Sequence, residues 1–379
     1  MIARIRFAMF VCVSLAAAAN SVAAESYYTA ADFTKVRKFD AHVHANTDDR
    51  RFLGIAVKDG FEILSINVDY PDFPPLEMQA QIAHTLSAAD PRRVHFLTTF
   101  SMKNFGAPSW TADTIRHIDA EIARGALGVK VWKNIGMVEK DAQGRLIMLD
   151  DKRFDGVMSH LEAKHIPLVA HQAEPKNCWL PLEAMTTEND RSYFRDHPEY
   201  YMYLHPEQPS YESLIAARDR FVARHPKLSV IGAHMASLEW SVDELAKYFD
   251  AHPNATADMA ARMSQIQFQS KSGPAKVRAF FVKYQDRILY GTDLTESPPD
   301  PHERAQNPPM DPARFADEAD AFWRSDWLYL ATSDVQPVAA IKADVKGLSL
   351  PKTIIDKIYY SNAKRVFGKS RQPTAARVF

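Results

Sequence analysis

Short β-type runs separated by longer helical patterns recur eight times along this chain, and that alternation constrains its fold more than any other feature. The runs are Lys38–His44, Glu62–Val68, Val94–Phe100, Gly128–Lys133, Ile166–His171, Leu228–His234, Ala255–Ala261 and Ile288–Asp293. Strands that alternate with helices imply βαβ units and a parallel sheet. Eight in succession predict an α/β fold closed into a (β/α)8 TIM barrel, not an open doubly wound sheet.

Between the runs, Ile115, Ile118 and Ile122 stand at helical spacing, predicting a helix over Asp113–Arg124 with Gly125 as its C-terminal cap. Ser241-Val-Asp-Glu244 reads as a capping box, with Trp240 and Leu245 placed as a hydrophobic staple, on a helix running to about Ala251. Two connections are long: Gln172 to Lys227, dense in Pro, Tyr and His, and Leu294 to about Pro312. Both leave carboxyl ends of strands, the face where barrels of this kind keep their sites, so the barrel is expected to carry long loops there. Tyr200, Tyr201, Tyr203 and His205 of the first loop read as an aromatic mini-core or a lid.

The 379 residues fit one barrel with insertions. A net charge of −1 without blocks of like charge gives no footprint for nucleic acid. The start of the chain reads as a secretory signal over residues 1–24: Arg4 and Arg6, an apolar run from Phe7 to about Ala19, then the small-residue stretch Val22-Ala-Ala24. That run is short for a membrane span, which needs about 20 residues. The expectation is therefore a mature chain of residues 25–379, secreted or periplasmic, with no membrane span. Cys12 lies in the leader and leaves Cys178 alone. One cysteine makes neither an intramolecular disulfide nor a thiolate metal site.

The chemistry gathers at strand ends. His42 and His44 stand two apart in a strand pattern, so both are expected to point the same way, into the barrel. His171 closes the fifth run, His234 the sixth and Asp293 the eighth, and Lys130 lies in the fourth. Barrel geometry brings these ends into one ring. Imidazoles with a carboxylate form the ligand set of Zn²⁺, Mn²⁺ or Fe²⁺. The remaining histidines His95, His117, His160, His165 and His225 fall at strand starts, in helices or in connections, and read as structural or exposed.

The chain here resembles the amidohydrolase superfamily, in particular its amidohydrolase-related (family 2) branch. The likeness runs through Phe39-Asp-Ala-His-Val-His44, Val169-Ala-His-Gln172, Ile231-Gly-Ala-His234, Tyr290-Gly-Thr-Asp293 and Asn362-Ala-Lys-Arg-Val-Phe-Gly368. It implies that His42, His44 and Asp293 bind a first divalent metal ion, Zn²⁺ foremost, and that His171 is a further ligand. His234 is then either a ligand to a second ion or an acid/base and substrate-polarising residue. Two-metal members carry a carboxylated, bridging lysine at the end of the fourth strand. Lys130 in Gly-Val-Lys-Val-Trp132 is similar to those, while a plain Lys paired with an acid is the alternative. The resemblance further implies that Asp293 takes a proton from the attacking water and returns it to the leaving group.

Arg262, just past the seventh run, is a candidate partner for a substrate carboxylate or else a surface arginine. Trp132, Lys133 and Glu174 lie just past strand ends as candidate pocket walls. The expectation is a metal-dependent hydrolase that cleaves a C–O or C–N acyl bond of a small molecule: a lactone, ester or amide. Non-oxidative decarboxylation of a small aromatic or unsaturated acid, and a non-catalytic periplasmic barrel, are the alternatives. A homo-oligomer is left open.

Overall fold

All eight β-type runs form strands, and every neighbouring pair is parallel. The computed structural model describes residues 25–70, 73–298 and 311–368. Residues 1–24, expected from the sequence to be a secretory leader, and most of the loop after the eighth run lie outside them. In chain order the strands are β1 (Lys38–Ala45), β2 (Phe61–Ile66), β3 (Val94–Thr99), β4 (Val129–Val131), β5 (Leu168–Ala170), β6 (Val230–Gly232), β7 (Thr256–Asp258), β8 (Ile288–Leu289) and β9 (Leu294–Glu296), in the spatial order β8-β7-β6-β5-β4-β3-β2-β1-β9. The eighth segment returns to the first: Ala41 N donates to Tyr290 O at 2.9 Å and Asp293 N to His42 O at 2.7 Å. β9 then pairs in parallel with β1. That return makes the sheet a barrel.

Each of β1 to β7 is followed by a helix on the outside: Arg51–Lys58, Leu76–Ala89, Trp110–Ala123, Asp155–Ala163, Tyr211–Arg224, Val242–Ala251 and Pro274–Lys283. The helix Pro312–Ala331 completes the outer ring after β9. Strands covered on both faces must be apolar throughout, and every residue of β1 to β8 is buried. The third helix begins at Trp110, a turn before the predicted Asp113, because Trp110 packs on Phe105 and Phe154 at 4.8 and 5.9 Å between ring centroids. Gly125 caps that helix in the left-handed region (φ 110°). The capping box at Ser241 is half formed. Its hydroxyl accepts from Glu244 N at 3.3 Å, but Glu244 turns to Lys247 and Ser241 N donates to Leu238 O.

The interior core is Phe39, Leu64, Leu97, Val169, Ile231 and Leu289, closed off by Ala363, Val366 and Phe367 of the C-terminal helix Asn362–Phe367. Asn362 ties that helix to β8 by donating to Ile288 O at 2.8 Å. The long connection after β5 divides in two. Its last part is the fifth barrel helix, and residues 172–210 form the true insertion of short helical turns. Cys178, Met185, Phe194, Tyr201 and Met202 make a separate small core there, so the aromatic loop is largely a packed mini-core. Tyr203 stays exposed.

Candidate metal centre

A break in the pleat of β1 aims its two histidines inward. Pairing with β2 shifts register between Asp40 and Val43, the mark of a bulge. Phe39 and Ala41 point into the barrel and Val43 points outward. Strict alternation from Phe39 would have placed His42 outside; the extra residue re-aims it, as bulges beside active sites commonly do.

His42, His44 and Asp293 bring ligand atoms within 4.8 Å of one another. Asp293 Oδ1 lies 3.3 Å from Nε2 of both His42 and His44. The other ring nitrogens are spoken for: His42 Nδ1 donates to Asp258 Oδ2 at 2.9 Å and His44 Nδ1 to Ile66 O at 2.8 Å. Each imidazole thus spends its proton on Nδ1 and presents the Nε2 lone pair to a carboxylate oxygen. Three acceptors converging on one point are satisfied by a shared cation, and nitrogen and oxygen donors with oriented imidazoles suit a divalent ion. The residues fit the group.

Lys130 reaches the same point from β4. It is 1% exposed and its Nζ donates to His42 Nε2 at 3.2 Å. Burial outweighs the pull of Asp258 and Asp293 and brings its amine down to about 8. His234 packs its ring 4.9 Å from that of His42 and 4.2 Å from that of His171. His234 Nδ1 donates to Ala260 O at 2.9 Å and His171 Nε2 to Ala173 O at 3.1 Å, leaving one lone pair on each. Burial first, then mutual repulsion and nearby cations, hold His171 well below the ordinary imidazole value; burial and Arg262 do the same for His234. The six predicted ring residues are gathered at the carboxyl end, with His42, His44 and Asp293 forming the compact cluster.

Protons compete with metal for imidazole nitrogen. Because His42, His171 and His234 are all held below the ordinary 6.5, bound metal is expected to persist as pH falls past that value and to leave only in more acid solution. Metal content after dialysis across pH 8 to 4 checks this; metal lost before pH 6.5 would contradict it.

Two buried acids hold the ring in place, and neither was singled out from the sequence. Asp258, in β7, accepts from His42 Nδ1 on one oxygen, and from His234 N (2.8 Å) and Ala260 N (3.2 Å) on the other. Burial would raise it, but His42, His234 and Lys130 bring it down to about 2. Its signal was an acid inside an otherwise apolar seventh run. Asp40 accepts from the hydroxyl and amide of Thr292 and from Trp323 Nε1 at 2.9 Å, tying the His-x-His strand to the Gly-Thr-Asp turn.

Backbone strain accompanies the site. Residues 234–237 run through four consecutive left-handed conformations (φ 54–58°), and Asp293 has φ 68°. Such residues cost about 1–2 kcal/mol each. Ser237 Oγ donates to Ala173 O at 2.8 Å, Tyr211 bonds Ser237 O, and Arg218 bonds Ala236 O. The turn also needs Gly232, since a Cβ there would lie 2.4 Å from Ala236 Cβ. Gly232→Ala is expected to cost at least about 1–3 kcal/mol through overpacking and to displace His234. A thermal melt and a metal titration read both; a wild-type melt would refute the close fit.

The candidate wall residues fall beside the ring. Trp132 packs on Tyr70 (4.6 Å), Tyr70 on Phe73 (5.0 Å), and Phe73 edge-on to His44 (5.0 Å). Glu174 and Lys133 form a buried ion pair. Trp132, Lys133, Glu174, Tyr200, Met202 and His205 line a cavity of about 300 Å³ whose lining includes none of the ring residues. Arg262 is 7% exposed, not the surface arginine that was the alternative. A larger cleft of about 900 Å³ lies between the helices Leu76–Ala89 and Trp110–Ala123 and is lined by none of the ring residues. His95, read as structural, pairs with Glu62 and stacks on Phe39 toward the barrel floor.

A parallel barrel with a His/His/Asp cluster at its carboxyl end defines a class of metal-binding barrel proteins. The family described as amidohydrolase matches residues 39–369, and the chain belongs to that family. No curated protein matches the sequence. Among solved structures, 2,6-dihydroxybenzoate decarboxylase from Rhizobium is similar at a TM-score of 0.50 and 14% identity, over 88% of this chain and 98% of that one. An uncharacterised TIM-barrel protein from Bordetella bronchiseptica is similar at 0.49 and 11%, over 89% and 100%. At 14% identity the likeness to the Rhizobium enzyme bears on the fold alone. Among the described residues no helix is long and apolar enough to cross a membrane.

Proposed function

We propose that this chain is a secreted or periplasmic, zinc-dependent hydrolase of a C–O or C–N acyl bond in a small lactone, ester or amide. One observation carries the reading: Asp293 stands 3.3 Å from two imidazole nitrogens, so a carboxylate adjoins any water held at that point. A divalent ion bound there supplies Lewis acidity and acidifies that water. Asp293 accepts the water's proton and delivers it to the leaving group. His234, neutral and pinned by Ala260 and Asp258, polarises the acyl oxygen or serves a second ion. Trp132 and Glu174 form the wall against which the substrate lies. The leader at residues 1–24 supports an address outside the cytoplasm.

Lys130 sets the number of ions. Its depressed amine and its place at His42 Nε2 support a carboxylated form, which with His171 and His234 would hold a second ion. Lys130→Met is then expected to lower bound metal from two equivalents to one, measured by elemental mass spectrometry; an unchanged equivalence would remove the bridge.

Decarboxylation is the second reading. The compact cluster His42/His44/Asp293, one among the described residues, supports it, and the Rhizobium neighbour that shares the fold is itself a 2,6-dihydroxybenzoate decarboxylase. Acid release from a lactone and ester panel, run beside carbon dioxide release from hydroxybenzoates, separates the two. Carbon dioxide without acid release would overturn the hydrolase reading.

A further inference from the structure

His171 and His234 stand on separate loops, one after β5 and the other after β6, yet a single residue is bonded to the supports of both. Ser237 N donates to His234 O at 3.0 Å. Ser237 Oγ donates to Ala173 O at 2.8 Å. That same carbonyl accepts from His171 Nε2 at 3.1 Å. A carbonyl oxygen has two lone pairs, so these two donors fill Ala173 O. Ser237 itself is 2% exposed, which places the bridge away from solvent.

Ser237 is held firmly in turn. Its carbonyl accepts from the Tyr211 hydroxyl, and Tyr211 accepts from Trp240 Nε1 at 2.8 Å. Arg218 is buried with its guanidinium 4.4 Å over the Tyr248 ring, and it donates to Ala236 O. A second staple joins the same two loops, where Glu239 Oε1 accepts from Lys176 N at 2.8 Å. Ser237 adopts φ 56°, a region that glycine enters without strain. Glycine would relax the backbone there and forfeit the hydroxyl.

We propose that Ser237 is a positioning residue that locks His171 and His234 to each other. It fixes Ala173 O where that carbonyl holds the His171 proton on Nε2, so Nδ1 keeps the lone pair. Through the turn it fixes His234, whose ring lies 4.2 Å from that of His171. Rings ordered before an ion arrives need not be ordered by it, which strengthens binding. The role deepens the metal-dependent reading and rests on it: it acts through His171 and His234, not through the compact cluster of His42, His44 and Asp293.

Two variants test it. Ser237→Ala removes the hydroxyl and keeps a side chain in the left-handed region; Ser237→Gly removes the hydroxyl and relieves the strain. Zinc affinity is measured by competition with a chromogenic chelator. Solvent exchange of the histidine ring N–H protons is followed by NMR on the metal-free protein, beside a thermal melt of each variant. Both variants are expected to bind zinc about tenfold or more weakly than wild type. Both should exchange the His171 ring proton about tenfold or more faster, while the His44 ring proton, bonded to Ile66 O, keeps its wild-type rate. The glycine variant should melt above the alanine variant without binding zinc better. If zinc affinity follows melting temperature across the two, or exchange at His44 rises with that at His171, Ser237 is only structural and the proposal fails. Wild-type zinc affinity in Ser237→Ala overturns it as well. A His171 proton that loosens as expected, in a protein that takes up no Zn²⁺, Mn²⁺ or Fe²⁺, would retire the metal-dependent reading and leave the lock between the two rings standing.

Discussion

Replacing Asp293 by asparagine is expected to lower turnover by about two to four orders of magnitude, the usual worth of a positioned proton-transfer group, while the protein still folds and takes up metal. Asparagine keeps an oxygen of the same shape opposite His42 Nε2 and His44 Nε2, 3.3 Å away in the wild type, so the ion keeps a donor there. What vanishes is basicity. The His42 and His44 rings cannot substitute, because their Nδ1 protons are committed to Asp258 and Ile66 and their remaining Nε2 lone pairs would be taken up by the ion. The backbone gains nothing from the change, since asparagine tolerates the left-handed conformation of residue 293 (φ 68°) about as well as aspartate. Steady-state kinetics on a hydrolysable ester, with metal content measured on the same sample, checks it. A fully active, fully metallated Asp293→Asn protein would sink the proton-transfer role.

The second large effect is at Asp258, and its two variants separate stability from metal binding. Asp258→Ala strips the acceptor from His42 Nδ1, His234 N and Ala260 N together. Removing one partner of a buried charged network costs about 3–5 kcal/mol, and the loss falls where the left-handed turn at 234–237 already stores strain. Asp258→Asn is subtler. Its carbonyl oxygen still serves the two backbone amides, but its NH₂ faces His42 Nδ1. The imidazole is then driven to the other tautomer, with the proton on Nε2 pointing at Asp293. Metal affinity should fall by about 10–100-fold with a smaller drop in melting temperature. Melts and metal titrations on both variants distinguish the cases; wild-type metal affinity in Asp258→Asn would show that Asp258 does not set the tautomer.

Much of the centre was legible before any coordinates. Aspartate or histidine ending a β-type run is conspicuous, and a barrel brings such ends together whatever the lengths of the loops between them, so His171, His234 and Asp293 converge. Asp258 and Asp40 escaped notice because nothing in a single sequence separates a buried acid that orients a ligand from a buried acid that satisfies a loop. Only the bonds to His42 and Thr292 tell them apart. The turn at 234–237 was also invisible: His-Met-Ala-Ser contains neither Gly nor Asn, the residues that usually announce left-handed backbone.

The His-x-His pair shows where sequence ends and structure begins. The alternation of β-type runs with helical patterns by itself determined the barrel class, the order of its strands and the residue types available to hold an ion, because β-type runs and βαβ connectivity are local properties of the chain. The direction in which His42 points was decided by tertiary structure. Phe39, Ala41 and Val43 read as one apolar face; the bulge between Asp40 and Val43 splits them and turns His42 inward with His44. That shift exists because β1 must pair with β2 on one side and with the 290–296 segment on the other, and the fit between two distant strands is written in neither strand alone.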